Sequence, residues 1–439
     1  MRGLATQGLD SSSEPSSRKA RRILFVSGLF PSGFERAVYG AHQRMRLFLE
    51  AAASASETLD ILFFVEPSFV ATTDRVEFAE QLYRHWGIRA DVHICPRATR
   101  ARPWLKANVE PIWNVRELYS VYKTGGAEQA RAVAACVRQE TDLIVAFQLE
   151  SMLPVMRAKK TLPPAVVDLN DVEHIRFPRI LARPPRTLRN QLQYLYLPAL
   201  FLAERRAIRS SVTTFVCSEV ARAYLERVVG KNNVKVAPNA VAFPNVATPP
   251  VRDGKSSASR SLLFIGIYAY PPNLEAAEWL VRTIFPLVLR LAPDARLVFA
   301  GSHIERIAHL SGMTPNVEFA GFIPELADVY ARAAVSVCPI LAGGGTRTKI
   351  IEAAAYRMPV VSTKLGAEGL DFEDGREILL RDDPEAFARA CVEMLDDPVR
   401  AALIAERAYI KARTYDRVDV IPAIAAELAR LVGARSNRR

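Results

Sequence analysis

The feature that most limits how this chain can fold is a repeated alternation. Short, continuously apolar, β-rich runs are separated by longer stretches of helical pattern. In the first half the runs are Arg22–Ser27, Leu59–Val65, Asp91–Cys95, Leu143–Phe147, Ala165–Leu169, Thr213–Cys217 and Val234–Ala237. None shows the period of two that marks a strand with one wet face, so each reads as a parallel strand buried on both sides. The segments between them are long enough for the crossover helices that parallel pairing requires. At Ala247 the texture changes to a Pro/Ser/Gly-rich stretch. The alternation then restarts with Ser261–Gly266, Arg296–Gly301, Val317–Ala320, Val335–Pro339 and Pro359–Thr363. With 439 residues, two domains are the default. The pattern predicts an α/β protein of two doubly wound, Rossmann-like domains facing a cleft. Its parts are a loose tail (1–20), a first domain (21–246), a linker (247–260), a second domain (261–414) and a final amphipathic helix (415–432). Ligands of open α/β sheets bind outside the carboxyl ends of the strands, which here means in the cleft.

Bulk properties narrow the classes. The formal net charge of +11 calls for an anionic partner: nucleic acid, a membrane surface or a phosphorylated substrate. Five well-separated cysteines, Cys95, Cys136, Cys217, Cys338 and Cys391, argue against a disulfide framework and against a structural zinc. The first 22 residues lack the apolar core of a signal peptide, and no run approaches the ~20 apolar residues of a membrane span. A cytoplasmic protein is the expectation, peripheral at the inner membrane face if the basic charge serves that purpose.

The richest stretch runs from Pro339 to Leu370, Pro339-Ile-Leu-Ala-Gly-Gly-Gly-Thr-Arg-Thr-Lys-Ile-Ile-Glu352 and onward. A strand ends near Pro339, the glycines Gly343, Gly344 and Gly345 follow, and a helix is expected from about Thr346 to before Pro359. Glycines let the backbone approach a ligand, and a helix start offers free N–H groups and a positive dipole end. Arg347 and Lys349 place cations in that first turn, against the dipole, unless a bound diphosphate rewards them. Glu352 is a carboxylate suited to ribose hydroxyls. The competing reading is a plain turn with Arg347 and Lys349 on a solvated face. The combination of strand, glycines, cations, glutamate and second strand favours a site.

This stretch resembles the donor-site segment of family-4 retaining glycosyltransferases of the GT-B fold, in the subgroup written G-G-G-T-R-x-K-I-x-E-A and P-V-V-S-T-x-x-G-A-E-G. The likeness extends back through Leu263-Phe-Ile-Gly266-Ile-Tyr-Ala-Tyr-Pro-Pro-Asn273 and forward to Asp382-Asp383-Pro384. In the first half it is loose, through Val236-Ala-Pro-Asn-Ala240 and Asp168-Leu-Asn-Asp171. The resemblance implies sugar transfer from a nucleotide-sugar, without a bound metal or other cofactor, to a glycan or lipid-linked acceptor. It assigns the donor to Gly266, Asn273, Gly343–Gly345, Thr346, Arg347, Lys349 and Glu352 on the second domain. The chain also departs from the family. Of two family glutamates eight positions apart, the second falls on Glu352, but the first falls on Gly344, and that one contacts the donor sugar. The family's Arg and Lys after the first strand of this domain are replaced by Ile267 and prolines, and Arg347 and Lys349 are the candidates to supply that charge.

Acceptor recognition then falls to first-domain loops: Gly28 and Gly33 after the first strand, followed by Arg36. Asp171 and His174, just past the strand ending at Leu169, are candidates to take the acceptor hydroxyl's proton. A structural histidine is the alternative for His174. From Arg176 to Arg209 eight arginines face one acid, Glu204, around the apolar Gln193–Ala203, with a smaller cluster at Arg97, Arg100, Arg102 and Trp104. Such a face suits an anionic membrane surface, and a solvated basic face over a buried helix is the alternative. Two other classes compete, a nucleotide-sugar epimerase of the same fold and a basic nucleic-acid binder. An epimerase needs no acceptor site, and no zinc knuckle or RNP-like motif supports nucleic acid.

Overall fold

The computed structural model describes residues 19–31, 33–34, 40–98, 125–158, 161–183, 187–230, 233–244 and 260–436. The anticipated tail to residue 18, most of the linker, and Arg36, Arg100, Arg102, Trp104 and Arg186 lie outside the described residues.

The first sheet has seven strands, all parallel: Ala20–Ser27 (β1), Ser56–Val65 (β2), Asp91–Pro96 (β3), Thr141–Phe147 (β4), Ala165–Asp168 (β5), Thr213–Val216 (β6) and Val234–Val236 (β7). Their order is β3-β2-β1-β4-β5-β6-β7. The continuous apolar runs are explained by burial on both faces. Along β1, Ile23 and Phe25 enter one core layer, and Leu24 and Val26 enter the other. The second sheet has six parallel strands: Ser261–Ile267 (β8), Arg296–Ser302 (β9), Val317–Gly321 (β10), Val335–Cys338 (β11), Val360–Ser362 (β12) and Leu379–Leu380 (β13). Its order is β10-β9-β8-β11-β12-β13. Both orders reverse direction once, between β1 and β4 and between β8 and β11. Such a switch point opens a crevice at the strands' carboxyl ends.

The last helix, Arg417–Ser436, packs away from the second sheet. Val420, Ile424, Ala425 and Leu428 join the first domain's core. Two ion pairs fix its approach, Arg417 to Glu50 at 2.5 Å and Lys235 to Glu427 at 2.7 Å. Just before it, Val241 and residues 415–417 exchange two backbone hydrogen bonds of 3.0 Å, stitching the chain leaving the first domain to the chain returning to it.

Candidate functional site

The two sets of carboxyl ends face one cavity of about 690 Å³. That is within the roughly 300–1,000 Å³ of small-molecule sites. One wall comes from the loops after β8, β9 and β11, the other from the loops after β4 and β5 and the helix Gly40–Ala55.

The second-domain wall centres on the glycine run. Gly345 has a left-handed backbone (φ 66°), and a side chain there would overlap Asp171 Oδ1 across the cleft. Thr346 is buried, and its hydroxyl accepts a 2.8 Å hydrogen bond from Asn239 of the first domain. These restraints delay the helix. It spans Thr348–Ala355 rather than beginning at Thr346, and Arg347 is an extended cap residue (φ −92°, ψ 103°). Arg347 therefore does not sit in the first turn. Its guanidinium curls back to the carbonyls of Gly344 and Gly345 and braces the glycine run from the cavity side.

Lys349 does lie in the first turn, sealed under the cavity floor. Its ammonium donates to Asn273 Oδ1 at 3.0 Å and stands 4.2 Å from the centre of the Phe264 ring. Burial pushes its pKa down to about 8. Asn273 is held in turn, its amide donating to Ile267 O at 3.0 Å. Glu352, one helical turn on, is buried too. Burial raises its pKa, while Gln43 of the first domain, at 3.4 Å, opposes the rise. Gly266 lines the cavity beside Asn273. A lysine half-way to neutrality, a buried carboxylate and a helix start around one hollow form a place for an anion bearing hydroxyls.

The first-domain wall is assembled differently. Gln148 and Asn170, directly after β4 and β5, both line the cavity with positive φ, 67° and 56°. Gln148, with ψ 161°, sits in a region almost reserved for glycine. Such strain gathers at ligand sites because the surroundings must hold it in place. Beneath the wall, Arg44 is fully buried and clamps Asp168 through two hydrogen bonds of 2.8 and 2.6 Å. It also donates to Ala237 O at 2.8 Å and Asn239 Oδ1 at 3.0 Å. That contact orients the Asn239 amide so that its N–H₂ reaches Thr346. The Asp168 carboxyl is thus spent inside the fold.

The sequence-based candidates separate here. Asp171 lines the cavity against Gly345. His174 does not line it. Its Nδ1 is engaged by the buried Glu204 and its Nε2 lies 2.8 Å from the Tyr224 hydroxyl, so both ring nitrogens are occupied by structure. The same Glu204 accepts from the backbone N–H groups of Glu173 and His174 at 2.7 and 3.1 Å. It caps the helix Glu173–Leu181, which has no side-chain cap of its own. Gly28 borders Glu150 without lining the cavity, Gly33 is exposed, and Arg36 is outside the described residues. Glu150, Glu173, Arg176 and Tyr270 do line it and carry no motif. Burial raises the pKa of Glu150, and it raises that of Glu173 to about 7 against the pull of Arg176.

The expected basic face also changes character. Arg176 is paired with Glu173 at 2.7 Å. Arg179 reaches Glu368 at 2.5 and 2.9 Å, and Arg183 reaches Glu275 at 2.5 Å, both in the second domain. These three arginines form a clasp across the cleft. Among the described residues, no three His, Cys, Asp or Glu side chains gather as metal ligands.

Two Rossmann-like sheets facing a cleft, tied by a returning terminal helix, define the GT-B architecture. Residues 259–397 match the family described as glycosyl transferases group 1. A phosphatidyl-myo-inositol mannosyltransferase of Mycolicibacterium smegmatis is 28% identical over 206 residues, covering 45% of this chain and 52% of the relative. An uncharacterised 44.6 kDa protein in the cps region of Klebsiella pneumoniae is 28% identical over 137 residues, 29% of this chain and 35% of the relative. The chain thus spans a third to a half of these curated relatives. Among solved structures, sucrose-phosphate synthase from Thermosynechococcus elongatus aligns with a TM-score of 0.65 at 17% identity, over 95% of this chain and 100% of that one. Anabaena HepE in complex with UDP-glucose aligns at 0.60 and 17%, over 93% and 99%. At such identities these two establish the fold.

Proposed function

We propose that the chain is a glycosyltransferase that moves a hexose from a nucleoside-diphosphate sugar to a hydroxyl of a glycan or lipid-linked acceptor. The observation that carries this reading is the buried Lys349–Glu352 pair at a helix start on the cavity floor. Lys349 and the first free N–H groups of that helix receive the diphosphate. Charge that develops there as the glycosidic bond breaks meets preoriented donors at low reorganisation cost. Glu352 accepts from ribose hydroxyls, Gly266 and Asn273 bound the nucleotide, and Arg347 stiffens the loop while adding its charge. Asp171, at the meeting of the two walls, is the candidate to receive the acceptor's proton. His174 is withdrawn from that role because its ring is already engaged.

Transfer with retention and without metal fits a site that supplies its own cations. UDP is the first nucleotide to try, because the HepE structure holds UDP-glucose. The mannosyltransferase relative supports a lipid-linked acceptor. Leu188 and Leu195, both exposed near the remaining arginines, support a peripheral membrane contact. No helix among the described residues is long and apolar enough to cross a membrane. The test is titration calorimetry with UDP, GDP and ADP, with and without EDTA, on the parent and on Glu352→Ala. Binding that survives EDTA and weakens about tenfold or more in the variant supports the reading, a contact to a charged group being worth about 1.5–3 kcal/mol. Equal binding by both proteins would remove the nucleotide from this wall.

A further inference from the structure

The glycine run leaves a bare stretch of wall where it meets the first domain, and one particular pair of side chains covers it. A Cβ on Gly344 would lie 2.9 Å from Cβ and 3.1 Å from Cγ of Arg176. The stem of Arg176 therefore occupies the space a side chain at 344 would take. Its guanidinium is held by Glu173 through two hydrogen bonds of 3.2 and 2.7 Å and lies 3.8 Å from Asp171. Glu173, Arg176, Gly344 and Tyr270 all line the cavity. The helix that carries the pair is fastened across the cleft. Arg179, one turn on, donates to Gly343 O at 3.4 Å and pairs with Glu368.

We propose that the transferred sugar is recognised across the cleft by the Glu173–Arg176 pair, which takes the place of a side chain missing at Gly344. This rests on the function proposed above. With the diphosphate at Lys349, the sugar on its outer phosphate must point towards the first-domain wall, and Gly344 lies on that path. The Glu173 carboxylate gives two lone-pair sites to Arg176 and keeps others for hydroxyl donors. The pair carries no net charge, so it suits an uncharged hexose. A uronate would bring a second carboxylate against Glu173. The pair belongs to the first domain and the glycine run to the second, so the sugar subsite exists only when the two are closed together. Glu173 is in this account a specificity-determining residue.

The experiment is titration calorimetry on the full chain with UDP, UDP-glucose, UDP-glucuronate, GDP and GDP-mannose. For the base that binds, the ratio of nucleotide-sugar affinity to nucleotide affinity isolates the sugar's contribution. The ratio is expected to exceed one for the neutral hexose and to be lower for the glucuronate. In Glu173→Gln it should fall about fivefold or more, while the nucleotide's own affinity stays within about twofold. In Arg179→Ala, outside the cavity, the ratio should fall in the same sense and less. A ratio that Glu173→Gln leaves unchanged, in a variant with the parent's melting curve, overturns the proposal. So does a parallel loss of both affinities, which would mark Glu173 as structural, or a parent ratio of one. If no nucleotide binds at all, the proposed function itself fails, and this inference with it.

Discussion

The two walls of the cleft solve the same problem in opposite ways. The second-domain wall is local: Gly343 to Glu352 supply its loop, cations, helix start and carboxylate within ten consecutive positions, with Gly266 and Asn273 as neighbours. The first-domain wall is dispersed. Gln43, Gln148, Glu150, Asn170, Glu173 and Asn239 come from separate loops and are held by a buried ion pair beneath them. A ligand part common to many donors, the nucleoside diphosphate, can be held by a compact cassette. A part that varies, the sugar and its acceptor, is better held by loops that change independently. The comparison predicts that damage to the first wall shows first in folding and in what is transferred, and damage to the second in nucleotide affinity.

The largest effect should come from under the first wall. Arg44→Met strands the buried Asp168 carboxylate and should cost about 3–5 kcal/mol, read as a lower urea midpoint. A loss below about 1 kcal/mol would mean that the wall does not depend on that pair. On the second wall, Lys349→Met should weaken nucleoside diphosphate binding about tenfold to a hundredfold, equivalent to about 1.5–3 kcal/mol, with little change in stability. The same lysine gives a pH signature. The free protein holds it half neutral at about pH 8, facing Arg347 and Glu352, and a bound diphosphate favours its charged form. Affinity should therefore be level below pH 8. Above it, affinity should drop by up to about tenfold per pH unit, with one proton taken up on binding. Buffers of different ionisation enthalpy would count that proton, and a flat profile to pH 10 would remove Lys349 from the contact. The smallest effect is expected at the clasp. Arg183→Ala, half-exposed and paired with Glu275, should cost about 0–1 kcal/mol and matter less at high salt.

How far each wall could be read in advance follows from the same contrast. Strands buried on two faces leave continuous apolar runs, so β1 to β12 stand where those runs stand. β13, two residues long, leaves no pattern to find. The glycine cassette carries its chemistry in consecutive positions and is visible for that reason. Even so, the helix begins two residues late, because the Asn239 contact to Thr346 and the turn at Gly345 are tertiary facts. In the first domain, attention falls on His174, the residue with the convenient pKa. Its neighbour Glu173 is the one facing the cavity, and the partners that occupy the histidine, Glu204 and Tyr224, lie 30 and 50 positions away. The arginine run misleads in the same way. A local count finds one acid, whereas Arg179 and Arg183 are answered by Glu368 and Glu275, at separations of 189 and 92.

The most direct test of the central claim is hydrogen exchange of the full chain with and without saturating UDP or GDP, whichever binds. The account predicts slowed exchange in the peptides covering 263–275 and 340–356, with a lesser change at 170–180 from the first domain closing on the glycine run. Protection confined to the first domain, or absent from 340–356, would contradict it.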